Sequence, residues 1–385
     1  MIKRNIENAI TRLASQFPVV AVTGPRQSGK STLVKNFFPD KKYVTMDDRN
    51  LREIAIASPT DFLKAFPDGA IIDEAQKVPE LFDAIKIIVD NGDNQTGKYI
   101  LTGSSQFRLK ENITDSLAGR VGMVKLLPFS IQELRETGKL VGDAYDYAFN
   151  GYYPPFYDDS KNFIHDDWFE NYIETYLDID VKDQINPTNI SSFRKFLQLC
   201  ATYSGQMVNM DSMSRDIGVS APTIRNWLSV LESSYIIHLL QPETKNLGRS
   251  IVKTPKLYFV DSGLMCYLLR LESKSELLLS RYKGAVVETM AVSELLKQRY
   301  NQGKKAELTF FRDKNGFEVD TIADWKQTYA IEVKSDSNTE KNLSKNVRTY
   351  IDARQDNTQG KVFYLGDLTC NINEIEYVSW KDWGK

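Results

Sequence analysis

The segment Val19–Thr32 reads VVAVTGPRQSGKST, and no other stretch restricts the fold of this chain so tightly. An apolar run breaks into Gly24-Pro25-Arg26-Gln27-Ser28-Gly29-Lys30-Ser31. This is the pattern G-x-x-x-x-G-K-[ST], which works between a strand and a helix. The glycines let the backbone curl so that consecutive N–H groups converge on phosphate oxygens, helped by the positive end of the following helix. Lys30 is expected to reach the β- and γ-phosphates and Ser31 to ligate Mg²⁺; Gly24, Pro25, Arg26, Gln27, Ser28, Gly29 and Thr32 complete the cradle. The expected ligands are therefore ATP and Mg²⁺.

Around this loop, residues 1–140 alternate predicted helices and strands: a leading helix from about Ile6 to Gln16, the loop-bearing strand, then strands near Tyr43, Ala70 and Tyr99. Such alternation predicts an α/β fold, a parallel sheet with helices on both faces and ligands at the carboxyl ends of the strands. Gly69–Gln76, GAIIDEAQ, is apolar until Asp73-Glu74. Asp73 at the strand end suits the Mg²⁺ shell, and Glu74 suits orienting or deprotonating an attacking water, a role a hydrolase needs and a small-molecule kinase does not. A third strand, Lys98–Ser105, ends in small polar residues, placing Ser104 where it could sense the γ-phosphate.

The runs TGPRQSGKST, YVTMDD (Tyr43–Asp48), IIDEAQKVPELFDAIK (Ile71–Lys86), LTGSSQF, SLAGR (Ser116–Arg120) and LLPFS (Leu126–Ser130) together resemble a large family of uncharacterised prokaryotic AAA-like P-loop ATPases. Members typically carry a C-terminal domain related to restriction endonucleases, and the resemblance covers nearly the whole chain. It implies a charge-stabilising role for Arg120, either as an arginine finger in trans or as a sensor in cis; the sequence leaves both open.

Residues 141–205 read as a helical lid or linker, helical from about Trp168 to Thr202 and interrupted at Asn186-Pro187. Residues 206–256 look like a winged-helix module. Within Asp211–Leu240, a short helix stops at Gly218, Ser220 caps a second helix with Pro222 in its first turn, and Tyr235–Leu240 reads as a strand. Ile224, Trp227, Leu228 and Leu231 bury one helical face. The other presents Thr223, Arg225, Asn226 and Ser229. That is polar but holds one cation, whereas phosphate contacts dominate DNA affinity. Lys245, Arg249, Lys253 and Lys256 after it could line a wing along a DNA backbone. The open choice is between DNA contact and a packing role.

Residues 257–385 carry a second constellation. Gly284–Glu288 opens a helix, followed by strand-like Glu307–Phe311, Gly316–Asp320 and Thr328–Lys334. Strand alternation puts Glu332 and Lys334 on one face. Asp320 beside Glu332-x-Lys334, with Glu288 from the preceding helix, resembles the PD-(D/E)XK nuclease core. There, carboxylates hold one or two divalent ions, and the lysine positions the water that attacks a phosphodiester. Val319 stands where proline is common. Glu288, Asp320 and Glu332 are the expected metal ligands, and Asp320, Glu332 and Lys334 the catalytic group. Lys/Arg and Asp/Glu are almost balanced across residues 281–385, so steering of DNA would fall to Arg281, Lys283, Lys297, Arg299, Lys304 and Lys305.

Composition narrows the alternatives. A net charge of −2 over 385 residues excludes a generally basic nucleic-acid coat, so any DNA contact must be a local patch. Cys200, Cys266 and Cys370 are isolated and His165 and His238 stand alone, which argues against zinc or a disulfide framework and for a reducing cytosol. The polar, amphipathic N-terminus is unlike a signal peptide, and no apolar run approaches membrane-spanning length. The leading expectation is a Mg²⁺-dependent ATPase, with a homo-oligomer as the candidate assembly, whose nucleotide state positions a nuclease-like domain on DNA. The alternative is an ATP-dependent switch or scaffold for a protein partner, with an inert C-terminal domain.

Overall fold

The computed structural model describes residues 2–92, 95–103, 113, 116–177, 181, 185, 189–244, 252–338 and 343–384. Two compact units are formed. The first comprises residues 1–129 with 233–235 and 299–305; the second comprises 130–232, 236–298 and 306–385.

The first unit is built on β1 (Val19–Thr23), β2 (Lys42–Thr45), β3 (Ala70–Asp73), β4 (Tyr99–Gly103) and β5 (Val121–Lys125), all parallel, in the order β2-β3-β4-β1-β5. β1, β3 and β4 are buried along their whole length, which is why they read as unbroken apolar runs rather than alternating ones. Val20 and Val22 join Ile71, Ile100 and Leu33 on one face. Val19 and Ala21 join Ile72, Leu101, Phe82 and Ile85 on the other. The period-two alternation of strand side chains thus feeds two cores. Helices Glu7–Ala14 and Lys30–Phe37 contribute to the first, and Pro59–Lys64 and Glu80–Asp90 to the second. Because β1 lies between β4 and β5, the strand order reverses there, and the loop leaving its carboxyl end occupies the switch point where open α/β sheets bind ligands.

The second unit is organised on a mixed sheet in the order β13-β14-β12-β11-β10-β9-β7-β8-β6. Its strands are β6 (Gln206–Met207), β7 (Ile237–Pro242), β8 (Lys256–Phe259), β9 (Leu308–Arg312), β10 (Glu318–Asp324), β11 (Thr328–Lys334), β12 (Gln359–Tyr364), β13 (Cys370–Ile372) and β14 (Ile375–Ser379). The expected helix pair is present as Met210–Ile217 and Ala221–Ser233. Gly218 turns at φ 80°, and Ser220 Oγ accepts the Thr223 amide at 3.2 Å. Trp227 packs against Phe193 and Phe196 of the helix Ile190–Thr202. Asn186 and Pro187, expected to interrupt the helical stretch, lie outside the described residues, as do Lys245 and Arg249.

The strands after the helix pair do not close a separate module at residue 256. That boundary falls at the first residue of β8, which pairs antiparallel with β7 at Ile237↔Phe259. β7 in turn pairs in parallel with β9 at Gln241↔Thr309. A lone β6-β7-β8 sheet would leave the β7 edge unpaired, and β9 covers it. The sheet therefore runs unbroken across the expected division.

Candidate functional site

Backbone geometry makes the loop after β1 a glycine-dependent cradle. Gly24 has φ 154°, and a Cβ there would stand 2.0 Å from the carbonyl oxygen of Leu126, so no other residue fits without moving the chain just past β5. Gly29 takes φ 91° as the residue ahead of the helix Lys30–Phe37, with no side chain capping its first turn. An uncapped helix start behind a glycine turn is the arrangement an anion site uses. Lys30 is buried and donates from Nζ to the carbonyls of Gly24 at 3.0 Å and Pro25 at 2.8 Å. Ser28 Oγ is buried with no hydrogen-bond partner, an orphan hydroxyl inside the cradle that a phosphate oxygen would satisfy.

Asp73, at the end of β3, gathers hydroxyls. Ser31 Oγ donates to its two oxygens at 3.1 and 2.9 Å. Tyr43 donates at 2.5 Å, and Thr102 of β4 donates to Oδ1. The two expected Mg²⁺ ligands, Ser31 and Asp73, are therefore in direct contact, and as hydroxyl and carboxylate they suit a hard cation. Burial, reinforced by the bond to Asp73, pushes the Tyr43 hydroxyl well above its ordinary range.

Tyr43 and Thr102 were not singled out by sequence reasoning, although a threonine in the apolar run YILTG was a usable signal. Arg4 carried none. It is 5% exposed and donates to the carbonyls of Ser28 at 2.9 Å and Leu127 at 2.7 Å, tying the loop to the segment after β5. Thr23, immediately ahead of Gly24, shares a 2.6 Å hydrogen bond with the Tyr235 hydroxyl.

Glu74 comes directly after Asp73 with a left-handed backbone, φ 53°, and accepts from Gln76 Nε2 at 2.5 Å. A non-glycine residue in this region stores strain of the kind found at functional positions. Arg26, Gln27 and Thr32 lie in or beside the loop, Gln27 also left-handed at φ 62°. Ser104 lies outside the described residues; β4 is described to Gly103. Arg120 immediately precedes β5, where its carbonyl accepts the Val19 amide at 3.3 Å. Its guanidinium is engaged by Asp90 at 2.6 and 2.9 Å. Since β1 and β5 are parallel with Val19 opposite Val121, Arg120 flanks the amino edge of the sheet while the loop leaves the carboxyl edge. At ~3.3 Å per residue, the strand between them is longer than an arginine side chain. The cis-sensor alternative therefore lacks the required proximity.

In the second unit, Glu288, Asp320, Glu332 and Lys334 belong to one electrostatic cluster, together with Lys256, Tyr258 and Glu318. Glu288 Oε1 accepts from Lys256 Nζ at 3.3 Å and from Tyr258. Lys256 also pairs with Glu318, which Arg312 engages from its other oxygen. Asp320 accepts the Val333 amide at 2.8 Å, and Lys334 Nζ lies 2.7 Å from Glu332 Oε1. Burial, then the neighbouring Glu288 and Glu332, holds the Asp320 carboxyl well above the usual range. Burial also raises Glu332 against the opposing pull of Lys334. Burial opposes the charge of Lys256, but Glu288 and Glu318 prevail and raise it.

Glu332 Oε2 is buried with no partner, an orphan that a cation would satisfy. Yet among the described residues no three His, Cys, Asp or Glu side chains are arranged to hold a metal ion. The expected set Glu288, Asp320 and Glu332 does not form such a site, and Glu288 Oε1 is engaged by Lys256 and Tyr258 instead. The donors are present; their arrangement does not yet fit an ion.

Residues 16–135 match the AAA domain, residues 142–275 a domain of unknown function (DUF8612), and residues 283–383 a second domain of unknown function (DUF4143). With the loop, the strand order and the Asp73 contacts, the first match makes residues 16–135 an AAA-like P-loop ATPase domain.

Over 295 residues the chain is 28% identical to uncharacterized proteins of Mycobacterium tuberculosis and Mycobacterium bovis. This spans 75% of this chain and 66% of each relative, just under two thirds of their length. It is 22% identical over 407 residues to an uncharacterized protein of Methanocaldococcus jannaschii, covering 95% of this chain and 88% of that one. Among solved structures, it is similar to the Walker-type ATPase of Pyrococcus abyssi at a TM-score of 0.44 and 15% identity, covering 70% of this chain and 96% of the other. It is also similar to AMPPCP-bound DnaA from Aquifex aeolicus at a TM-score of 0.29 and 13% identity, covering 59% and 85%. Among the described residues, no helix is long and apolar enough to cross a membrane.

Proposed function

We propose that this chain binds ATP with Mg²⁺ and hydrolyses it, and that its nucleotide state controls a nuclease-like C-terminal domain acting on DNA in the cytoplasm. The observation that carries the first half is the contact of Ser31 with Asp73 beside a loop whose Ser28 hydroxyl is buried and unsatisfied. On binding, Lys30 exchanges the carbonyls of Gly24 and Pro25 for phosphate oxygens, and Ser28 gains its missing partner. Bound Mg²⁺ would neutralise phosphate charge, held by Ser31 and Asp73. Glu74 orients the attacking water and takes its proton. Arg120 serves a neighbouring copy in trans, since its own loop lies at the far edge of the sheet, and the working form is a homo-oligomer. Arg225, Asn226 and Ser229 are exposed on the helix Ala221–Ser233, which supports a winged-helix contact with phosphates.

The test is purified full chain with ATP and Mg²⁺, and with plasmid and branched DNA in Mg²⁺ or Mn²⁺, with and without ATP. Expected are nucleotide binding and turnover that Lys30→Ala removes, and ATP-responsive nicking that Asp320→Asn removes while ATPase survives. Nucleotide affinity unchanged in Lys30→Ala would overturn the loop assignment. A second reading, an ATP-dependent switch for a protein partner with an inert C-terminal domain, draws support from the intrusion of Lys256 among the carboxylates. It predicts ATP turnover with no cleavage of any DNA.

A further inference from the structure

Tyr235 occupies a backbone position that favours glycine. It follows the helix Ala221–Ser233, and the Ile236 amide reaches back to the Leu231 carbonyl at 2.9 Å. That is the six-to-one bond that closes a helix when the residue before it turns left-handed. Tyr235 makes that turn at φ 60°. A bulky residue there carries strain that glycine would avoid, so its side chain has to offset the cost. The ring is 4% exposed, and the Lys125 ammonium of β5 stands 6.0 Å from its centre and 4.8 Å from that of Tyr300. The hydroxyl lies 2.6 Å from Oγ1 of Thr23, the last residue of β1 and 212 positions away in the chain. Thr23 gives its own proton to the Val124 carbonyl at 3.2 Å, so Tyr235 is the donor in this pair. Burial pushes the phenol well above its ordinary range, which keeps it a donor.

We propose that Tyr235 is a positioning residue for the nucleotide loop, fixing through Thr23 the point at which the chain leaves β1 for Gly24. This rests on reading the loop as the ATP site. Thr23 is tied in three ways: its carbonyl accepts the Leu126 amide at 2.7 Å, its hydroxyl donates to Val124, and the same hydroxyl accepts from Tyr235. The first two ties run to β5 and the residue after it; the third comes from outside the sheet. The next residue, Gly24, already packs against the Leu126 carbonyl too closely for a Cβ. A cradle of backbone N–H groups grips phosphate only when those groups converge, so a hydroxyl that fixes where the loop begins acts on affinity. Removing that hydroxyl strands no donor, because Thr23 keeps Val124 as its acceptor. The consequence therefore falls on the loop and not on folding.

Calorimetric titration of a non-hydrolysable ATP analogue with Mg²⁺ into the full chain tests this, with nucleotide-free thermal midpoints measured in parallel. Tyr235→Phe keeps the ring and removes the hydroxyl. It should bind ~10-fold more weakly than wild type, the fold-change one hydrogen bond is worth, with the midpoint unchanged. Thr23→Val should also lose affinity, and Tyr235→Phe added to it should bind no more weakly than Thr23→Val alone, because both remove the same contact. Thr23→Ser, which retains the hydroxyl, should bind as wild type does. Wild-type affinity in Tyr235→Phe, whatever its midpoint, would overturn the proposal and leave Tyr235 a packing residue. Losses that multiply in the double variant would overturn it as well, since the two groups would then act separately. Lys30→Ala distinguishes this from the loop assignment: if it binds as tightly as wild type, or wild type binds nothing, the ATP site falls and the proposal with it. Should Tyr235→Phe fail to fold by circular dichroism, Thr23→Val against Thr23→Ser decides: equal affinity overturns the proposal.

Discussion

Asp73 shows how much of this protein's chemistry is held by single hydroxyls. Three of them, from Ser31, Tyr43 and Thr102, converge on one carboxylate. Only Ser31 comes from the loop motif; Tyr43 and Thr102 orient the acid without belonging to it. Tyr43→Phe is expected to weaken Mg²⁺-dependent nucleotide binding by ~10-fold, the usual cost of losing a group that orients a metal ligand, and calorimetry with and without Mg²⁺ would show it. Lys30 and Glu74 should separate binding from turnover. Lys30→Ala removes the cation from the triphosphate and should lose tight ATP binding, whereas Glu74→Gln should keep ATP and turn over ~10²–10⁴-fold more slowly. A Glu74→Gln protein with the wild-type steady-state rate would remove Glu74 as the base. Arg4→Ala should lower stability by ~2–4 kcal/mol in denaturant unfolding, because it strands the carbonyls of Ser28 and Leu127 in a buried setting.

At the scale of elements, the loop depends on the segment after β5 as much as on its own residues. Leu126 donates its amide to Thr23 at 2.7 Å, and its carbonyl fills the space a side chain at Gly24 would need. Gly24→Ala should consequently lower both the thermal midpoint and ATP affinity, a double effect that a purely ligand-contacting position would not show. The helix Arg49–Ala57 offers the contrasting case. Asp48 caps it, accepting the amides of Asn50 at 2.8 Å and Leu51 at 3.1 Å. Asp48→Ala is expected to cost ~1 kcal/mol in denaturant unfolding with ATP affinity unchanged. A matching loss of ATP affinity would mean that this helix end reports to the site. In the second unit, pairing of β7 with β9 makes the strands after the helix pair part of one sheet, an outcome that hydrophobic pattern alone does not select.

For the whole molecule, the consequence lies in where Arg120 stands. With its guanidinium on Asp90 at the amino edge of the sheet, it is remote from its own loop, and the proposed role in trans requires it to leave Asp90 for the nucleotide of a second copy. Arg120→Ala should slow hydrolysis while leaving ATP affinity nearly intact, since its charge matters most as negative charge develops in transfer. Mixing Arg120→Ala with Lys30→Ala protein should restore part of the turnover, one copy supplying the site and the other the arginine. Mixed oligomers, shown to form, that hydrolyse no more than the two parents would remove the trans role.

The nucleotide loop, the Asp73 strand and the alternation around them were legible in the sequence, because a glycine turn between an apolar strand and a helix is a local requirement. So were the helix pair about Gly218 and the strands bearing Asp320, Glu332 and Lys334, whose patterns are set by nearest neighbours along the chain. What the linear order could not convey is which distant groups share one small volume. Arg4 under the Ser28 carbonyl, Tyr43 on Asp73, and Lys256 between Glu288 and Glu318 are separated from these partners by 24 to 62 positions. Each looks like an ordinary polar residue until burial removes water and leaves few partners able to satisfy it. Tertiary structure alone decided that Arg120 faces away from its own loop, because parallel strands send their two ends to opposite edges of a sheet. It also decided that a lysine is buried among the carboxylates of the acidic cluster, because only packing brings that charge inside.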